Sequence, residues 1–130
     1  MKQHEVWLIK AGNDLKSAKK LLDGDDPILD TAIYHTQQCA EKALKAYLSF
    51  QQKPIQKIHN LGALIDLCSG CDKDFIALLE DAEELNPYDA AFRYPDLILE
   101  PDKKDVSDAI EKSEKILSFV KHKIRHLCLE

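Results

Sequence analysis

Residues 34–48 read YHTQQCAEKALKAYL, and this stretch determines the expected class of fold. Apolar or small side chains recur in it every three or four positions, which is the period of an α-helix rather than of a strand. The same stripe begins at Leu29 and continues to about residue 52, shortly before Pro54. The sequence therefore predicts a long helix over about 28–52, whose alanines let a neighbouring helix approach closely.

Outside this segment, the same period predicts four more helices and no strand. The other long helices run over about 3–22 and 103–127, and two shorter helices run over about 59–69 and 73–85. The expected fold is an all-α, up-and-down helical bundle of about five helices, formed by residues 1–130 as a single domain. The predicted boundary residues are Asp26 before Pro27 for the second helix, Gly70 after the third, Asp72 before the fourth and Asp102 before the last.

Composition argues against several classes of protein. Of the 130 residues, 45% are apolar and 32% are charged, and the formal net charge is -5. An acidic chain lacks the broad basic face of a DNA-binding protein, so no DNA partner is expected, although a small phosphate site is compatible with this charge. No apolar run approaches the roughly 20 residues of a membrane span, so no membrane association is expected. Because nothing in the sequence marks export, a cytoplasmic location is expected.

The cysteines raise the question of metal or redox chemistry, because Cys68 and Cys71 form a C-x-x-C pair in CSGC. A zinc ribbon needs a second such pair, and a thioredoxin-type site needs a preceding strand; the sequence has neither. With four glycines, the chain also has no glycine-rich phosphate loop. No metal site and no cofactor are therefore expected, and a role for the Cys68–Cys71 pair stays open.

Polar side chains accompany the apolar stripe of the second predicted helix. Glu41 and Lys45 stand four positions apart, which predicts an ordinary intrahelical ion pair. Gln37 and Gln38 cannot both face solvent if the stripe is broad, so one of them is expected to be a partly buried hydrogen-bonding group. With Lys42, this set is interpreted either as a solvated face or as a polar contact at a helix or subunit boundary.

A histidine, His59, lies just before the third predicted helix, in KIHNLGAL (57–64). Histidine in this position is commonly bonded to backbone near the helix cap. Alternatively, it meets a phosphate that the helix N-terminus holds. The sequence leaves both interpretations open.

The proline-punctuated segment NPYDAAFRYPD (86–96) carries one of only two arginines in a chain with sixteen lysines. The planar guanidinium of Arg93 suits either a carboxylate of its own chain, such as Glu41 or Asp89, or a ligand phosphate. In the second case Tyr94 is available for stacking. Long irregular segments more often carry function than the helices they join, so this segment is a candidate functional loop.

Four segments together resemble the HEPN domain family, named for higher eukaryotes and prokaryotes nucleotide-binding. They are VWLIKAGNDLKSAKKLL, YHTQQCAEKALKAYL, KIHNLGAL and LNPYDAAFRYPD, in the family's order and over nearly the whole chain. The resemblance implies a helical bundle that commonly forms a homodimer and is often encoded beside a minimal nucleotidyltransferase. Many such pairs behave as toxin and antitoxin. The wide apolar stripes of the second and last helices also favour a homodimer.

Many members of that family are metal-independent ribonucleases, whose signature is an arginine followed by four to six residues and a histidine. In this chain Arg93 is followed at the corresponding positions by Ile98, Leu99 and Glu100, so the signature is absent. The leading hypothesis is a binding and interaction module that engages a nucleotide, RNA or a partner nucleotidyltransferase. The alternatives are an endoribonuclease toxin that uses Arg93 and His59, and a purely structural helical dimer.

Two sets of candidate residues follow, and neither contains an assigned catalytic residue. The candidates for nucleotide or phosphate binding are Arg93, Tyr94, His59, Lys42 and Lys45. The proposed structural polar cluster comprises Gln37, Gln38, Glu41, Tyr88 and Asp96.

Overall fold

Helices dominate the residues that the structure, a computed structural model, describes: 1–55, 57–89 and 100–128. They are α1 (Gln3–Leu22), α2 (Leu29–Phe50), α3 (Leu61–Ser69), α4 (Leu79–Leu85) and α5 (Lys103–Cys128), with 3-10 helices at Lys73–Leu78 and Asn86–Asp89. These ranges contain no strand, and the predicted all-α bundle is confirmed. None of the helices described combines the length and the apolar character needed to cross a membrane.

The core lies where α1, α2 and α5 pack against one another. On the central helix α2, Ala32, Ala40 and Ala43 are fully buried, and their small side chains let neighbouring backbones approach closely. Side chains of α5 from Val106 to Ile124 are buried at the predicted spacing. The apolar stripes of α2 and α5 are therefore covered within the chain, and their width no longer argues for a dimer.

The turn between α1 and α2 differs from the prediction. Ile28, not Asp26, is the N-cap residue of α2, and no side chain caps this helix end. The amide of Ile28 donates to the carbonyl of Leu21 at 2.9 Å, which closes the turn onto the end of α1. Within the turn, Gly24 has a φ of +92°, a conformation that favours glycine. The prediction of an Asp26 cap followed by Pro27 as the first helical residue is wrong, because this closed turn delays the start of α2.

The two other predicted aspartate caps are confirmed. Asp72 accepts a hydrogen bond from the amide of Asp74 at 2.9 Å. Asp102 accepts from the amide of Asp105 at 2.7 Å, and the Asp105 carboxylate accepts from the amide of Asp102 at 3.1 Å. This reciprocal pair is a capping box, and it starts α5 one residue after Asp102.

An aromatic cluster holds the short helices against the long ones. The prediction of one continuous helix over 73–85 is wrong in its first half, which forms the 3-10 helix and places Phe75 between α2 and α5. Phe75 is fully buried. The centroid of its ring lies 4.4 Å from that of Tyr47 on α2 and 5.0 Å from that of Phe119 on α5. We attribute the 3-10 conformation of Lys73–Leu78 to the packing of the Phe75 ring between α2 and α5.

Lysines of α5 fix this helix against the 3-10 helix and α4. The Lys123 ammonium lies 2.9 Å from the Asp72 carboxylate and lowers the pKa of that carboxyl. The hydrogen bonds to Asp74 and then Asp72 raise the pKa of Lys123. The ion pairs along this boundary are Lys123 with Asp72 and Asp74, Lys115 with Asp81, and Lys112 with Glu84.

We expect Asp72→Asn to lower the melting temperature by an amount that depends on pH. Asparagine also caps helices, so the substitution removes mainly the charge. The pKa of Asp72 is lowered on folding, so its charge stabilises the fold above the unfolded value of about 3.9, and this contribution is lost as the pH falls through the folded value. The raised pKa of Lys123 acts at the other end of the scale. Its contribution is present below about pH 10.4 and is lost as the pH rises through the folded value.

Thermal melts of the wild type and Asp72→Asn across this pH range test the expectation. The difference between the melting temperatures should be about 2 °C near neutral pH, where a partly exposed ion pair contributes about 0.5 kcal/mol. It should shrink at both the acid and the alkaline end. A difference that stays constant with pH would show that the cap, and not the ion pair, accounts for the effect.

Candidate functional site

A buried carboxylate, that of Glu41 on α2, organises the polar interior of the bundle. Glu41 is 4% exposed. Its oxygens lie 3.1 Å from Lys45 Nζ, 3.2 Å from His59 Nδ1 and 3.4 Å from Gln37 Nε2. A buried ionised group requires partners of this kind, because it has lost its hydration. The predicted ion pair with Lys45 is present, but it lies inside the molecule and not on a solvated face.

The two lysines predicted to bind phosphate are both engaged by carboxylates of the chain. Lys45 is 5% exposed, and besides Glu41 its ammonium contacts the Trp7 ring, with 5.8 Å between Nζ and the ring centroid. Lys42 donates to Asp14 of α1 at 2.6 Å. Lys45 therefore stabilises the interior, and a ligand could reach its ammonium only if the bundle opened.

Asp14 forms a second polar cluster, which sequence reasoning missed. This residue is 7% exposed, and besides Lys42 it contacts His35, with 2.7 Å between its Oδ1 and the ring Nδ1. The sequence did contain an indication of this cluster. Asp14 is an acidic residue beside Leu15 in the apolar stripe of α1, and its partners His35 and Lys42 stand seven positions apart on α2. The cluster joins α1 to α2, and it contains Lys42, one of the residues predicted to bind phosphate.

Two glutamines connect Glu41 to the rest of the site. Gln37 is fully buried, donates through Nε2 to the carbonyl of His59 at 3.2 Å, and accepts from Gln38 Nε2 at 2.7 Å. Gln38 also donates to Asp89 at 3.4 Å. Gln37 is thus the buried hydrogen-bonding glutamine that the sequence indicated. Tyr88 has no hydrogen bond to this cluster within the described ranges; it packs on the apolar core, and burial raises its pKa.

A shallow cleft of about 380 Å³ opens beside this network, lined by His59, Asn60, Asn86, Pro87 and Asp89. His59 joins the two, because its Nδ1 contacts the buried carboxylate while 41% of its side chain is exposed. With Nδ1 engaged, Nε2 is the ring nitrogen that can meet a ligand.

Backbone amides orient two asparagines at the edge of the cleft. Asn60 Oδ1 accepts from the amide of Ala63 at 3.0 Å, and Asn86 Oδ1 accepts from the amide of Leu61 at 2.7 Å. An amide oxygen must face each N–H donor, so both NH₂ groups point elsewhere, and neither has a partner among the described residues. The two NH₂ groups supply hydrogen-bond donors to this edge of the cleft, whereas Nε2 of a neutral His59 accepts, because its Nδ1–H is directed at Glu41.

The same hydrogen bonds satisfy the N-terminus of α3. The amides of Leu61 and Ala63, which a first helical turn leaves without helical partners, are taken by the side chains of Asn86 and Asn60. Asn60, rather than His59, is the N-cap residue, and the helix begins two residues later than predicted. The end of α3 therefore does not offer these amides to a phosphate, and a ligand in the cleft would meet side chains.

Comparison with known proteins assigns the architecture to a family. The HEPN domain model matches residues 4–123. The chain belongs to the HEPN domain family. A solved structure described as that of an archaeal HEPN homologue has 30% sequence identity and a TM-score of 0.74, and the match covers 95% of this chain and 99% of that chain. None of the curated proteins matches the sequence. The resemblance indicated by the four sequence segments is thus confirmed.

Three of the residues predicted for this HEPN site, Arg93, Tyr94 and Asp96, lie in 90–99, outside the described residues. Their roles stay predictions. The described part of the site is assembled from α2, from the residues that precede α3, and from 86–89.

Asn86, like Asn60, is a residue of this HEPN cleft that the sequence analysis did not identify as a candidate. Its bond to the amide of Leu61 spans 25 residues of chain, so no local spacing could indicate it. Asn60 carried a signal that was not used, because asparagine directly before an apolar helical stripe is a favoured N-cap.

The cysteines of the domain divide into buried and exposed thiols. Cys39 and Cys68 are buried, and burial raises the pKa of each to about 12. The Cys68 thiol also donates to the carbonyl of Leu44 at 3.7 Å. Cys71 and Cys128 are exposed. The two members of the C-x-x-C pair therefore lie in different environments.

We expect two of the four thiols to react rapidly with an aromatic disulfide reagent in the native protein. A thiol with a pKa of about 12 is ionised to roughly one part in ten thousand at pH 8, and the thiolate is the reactive form. Reagent titration with mass-spectrometric mapping should place the rapid reactions at Cys71 and Cys128, and unfolded protein should show all four. Rapid native labelling of Cys68 would contradict its burial in the core.

Proposed function

We propose that this HEPN domain is a binding module whose cleft at His59 takes a phosphate group of a nucleotide or of RNA. The observation that carries the proposal is the edge of the cleft where Asn60 and Asn86 line it together with His59, with NH₂ groups that have no partner among the described residues. Phosphate oxygens only accept hydrogen bonds, so such an edge suits them. Asp89, a carboxylate in the lining, opposes an anion there, because the amide of Gln38 that donates to it carries no counter-charge. Membership of the HEPN family supports a nucleotide- or RNA-related ligand in general.

Arg93 completes the proposed site. It follows Asp89 by four residues, so the chain can separate their Cα atoms by no more than about 14 Å. A guanidinium can bind phosphate through two parallel N–H donors, and a tyrosine ring can stack on a base. Arg93 and Tyr94 therefore stay in the proposal as ligand contacts. The ion-paired Lys42 and Lys45 are proposed to hold the site in shape.

The decisive test changes the donors without removing the helix cap. Asn60→Asp keeps an oxygen for the amide of Ala63, and Asn86→Asp keeps one for the amide of Leu61, but each replaces NH₂ by a charged oxygen. Losing a hydrogen bond to a charged group costs about 1.5–3 kcal/mol, so each variant should bind adenosine monophosphate at least about tenfold more weakly. Calorimetry measures the affinity, and thermal melts should show unchanged stability.

Two controls separate the donor from the added charge. Asn60→Ser retains a capping oxygen but adds no charge, and it should weaken binding less than Asn60→Asp does. Asn13→Asp adds the same charge at an exposed position of α1 and should not change the affinity. If adenosine monophosphate binds the wild type and both cleft variants equally well, the cleft is not the binding site. If neither the nucleotide nor RNA binds the wild type, the structural-dimer hypothesis replaces the proposal.

The proposal includes a homodimer and a partner nucleotidyltransferase of the toxin–antitoxin kind, in the cytoplasm. Its support is the family, in which dimers are frequent. Light scattering at micromolar concentration tests the dimer. A molecular mass that corresponds to a monomer would contradict the proposed homodimer. Co-purification from the host, with the neighbouring coding sequence, tests the partner.

A ribonuclease is the alternative function, and the pairing of Glu41 with His59 favours it. A carboxylate on Nδ1 orients an imidazole so that Nε2 can accept a proton, as a general base requires. Cleavage of RNA by its 2'-OH also needs a cation at the phosphate, a role that would fall to Arg93. The missing arginine–histidine spacing weighs against this alternative.

An RNA-cleavage assay separates the two functions. Under the alternative, the wild type cleaves RNA, His59→Ala abolishes cleavage, and a 2'-deoxy substrate resists it. Under the leading proposal, the purified protein binds RNA and leaves it intact. If the RNA stays intact after prolonged incubation, the hypothesis that the protein alone is a ribonuclease is wrong.

A further inference from the structure

A groove of about 860 Å³ lies where the start of α1 meets the end of α2, separate from the residues of the His59 cleft. Lys2, directly before α1, and His4 in its first turn line one side, and Phe50, Lys53 and Pro54 line the other from the end of α2 and the following residues. None of the lining residues that the structure describes is acidic. The groove therefore presents positive charge on a chain whose formal net charge is -5.

The lysines at this end of the molecule lack acidic partners among the residues that the structure describes. Lys2, Lys53 and Lys57 are exposed, and none forms an ion pair with another described residue. The lysines of α2, by contrast, are both paired: Lys42 with Asp14 and Lys45 with Glu41. Uncompensated cations beside a concave surface raise the local concentration of anions.

An aromatic pair accompanies these cations. The rings of His4 and Phe50 meet edge to face, with 5.0 Å between centroids and 84° between planes. Proteins that bind single strands combine a basic groove with aromatic side chains on which bases stack. An acidic peptide would use the cations but gain little from the rings, so the combination favours nucleic acid.

The connection between α2 and α3 leads from the groove to the cleft. Lys53 lines the groove, His59 lines the cleft six residues later, and the exposed Lys57 lies between them in the chain. Six extended residues span at most about 20 Å. At a rise of roughly 3.4 Å per nucleotide, a stacked single strand covers this upper bound with about six nucleotides, so six or fewer connect the groove to the cleft.

We propose that the groove binds the sugar–phosphate backbone of single-stranded RNA, one phosphate of which occupies the His59 cleft. This inference rests on the proposed function and makes it more specific, because the ligand is then an oligonucleotide rather than a mononucleotide. The footprint is small, with two or three lysines contacting phosphates. It is therefore compatible with an acidic chain that has no broad basic face.

The test measures how affinity depends on ligand length. The probes are adenosine monophosphate and oligoadenylates of about two to sixteen nucleotides, a range that includes known single-strand site sizes of about four to sixteen. The oligoadenylates carry 2'-O-methyl groups so that no 2'-OH is available for cleavage. Affinity should rise with length and level off by about six nucleotides. In Lys2→Ala/Lys53→Ala, hexanucleotide affinity should fall by about tenfold at low salt, and the slope of log affinity against log salt should decrease by about 1.4.

A matched control and a second ligand make each outcome informative. Lys16→Ala/Lys20→Ala removes two exposed charges from the other half of α1 and should leave the hexanucleotide affinity unchanged. The Lys2→Ala/Lys53→Ala variant should bind adenosine monophosphate as the wild type does. A hexanucleotide that binds the wild type no more tightly than adenosine monophosphate overturns the groove and leaves the cleft standing.

The remaining outcomes distinguish the two sites and the two kinds of ligand. Hexanucleotide binding that depends on Lys2 and Lys53 but is unaffected by Asn60→Asp supports the groove and overturns the cleft. Equal affinity for a glutamate hexapeptide overturns RNA as the occupant. A wild type that binds no oligonucleotide overturns the groove proposal.

Discussion

Replacing Phe75 with alanine is expected to lower the free energy of unfolding by about 3–5 kcal/mol. Phe75 is fully buried and contacts Tyr47 on one side and Phe119 on the other. The substitution removes the ring that links α2 to α5 through the 3-10 helix. It leaves a cavity that this short helix cannot fill, because the ion pairs of Lys123 hold its start and the buried Leu78 holds its end.

Thermal and urea unfolding measure this loss. For a domain of this size, the expected change corresponds to a fall of about 10–20 °C in the melting temperature. Total stabilities of single domains are about 5–15 kcal/mol, so the variant would retain only part of its stability and is best studied at low temperature. Phe75→Leu keeps an apolar side chain and should lose less.

The adjacent residue provides a matched control. Ile76 belongs to the same 3-10 helix but is 58% exposed, and Ile76→Ala should change the unfolding free energy by less than about 0.5 kcal/mol. If both alanine variants lose the same amount, the aromatic cluster is not closed in solution, and the packing of the short helices on α2 and α5 must be revised.

The long helices could be predicted because burial along one side imposes a period that the sequence must show. A helix with one buried face needs apolar residues every three or four positions, and the stripe of α5 from Val106 to Ile124 meets that need residue by residue. The first residues of α1 and α5 also agree with the prediction. The short elements were less predictable. The local pattern over 73–85 favours one continuous helix, but the packing of Phe75 against Tyr47 and Phe119 overrides this preference.

The candidate site could be predicted only in part, because its geometry depends on contacts between distant segments. The spacing of Glu41 and Lys45 indicated their ion pair. Its burial depends on Trp7 and on the chain around His59, which no local pattern brings to α2. The bond between Asn86 and α3 was invisible for the same reason.

The substitution Glu41→Gln is also expected to have a large effect, lowering the free energy of unfolding by about 3–5 kcal/mol. Glutamine has nearly the same shape and can still bond to Gln37 and His59. The cost arises from Lys45, whose ammonium is buried 3.1 Å from the carboxylate and would lose its counter-charge. The Trp7 ring offers only partial compensation through its π-face.

A double-mutant cycle separates the cost of the lost charge from the cost of the changed side chain. Lys45→Met removes the ammonium but keeps an unbranched chain against Trp7. We expect Glu41→Gln/Lys45→Met to be more stable than Glu41→Gln alone, because the double variant contains no unpaired buried charge. Urea unfolding of the wild type, both single variants and the double variant gives the coupling energy.

An exposed ion pair with the same i, i+4 spacing as Glu41 and Lys45 serves as the control for this cycle. Lys104 and Asp108 also stand four positions apart, with 3.2 Å between Nζ and Oδ2, and Asp108→Asn should leave the unfolding free energy unchanged. If Glu41→Gln has as little effect as Asp108→Asn, water reaches the Glu41 carboxylate in solution. His59 would then lack a fixed partner on Nδ1, and the ribonuclease alternative would lose the observation that favours it. The same measurement therefore tests both the interior of the bundle and the chemistry available at the cleft.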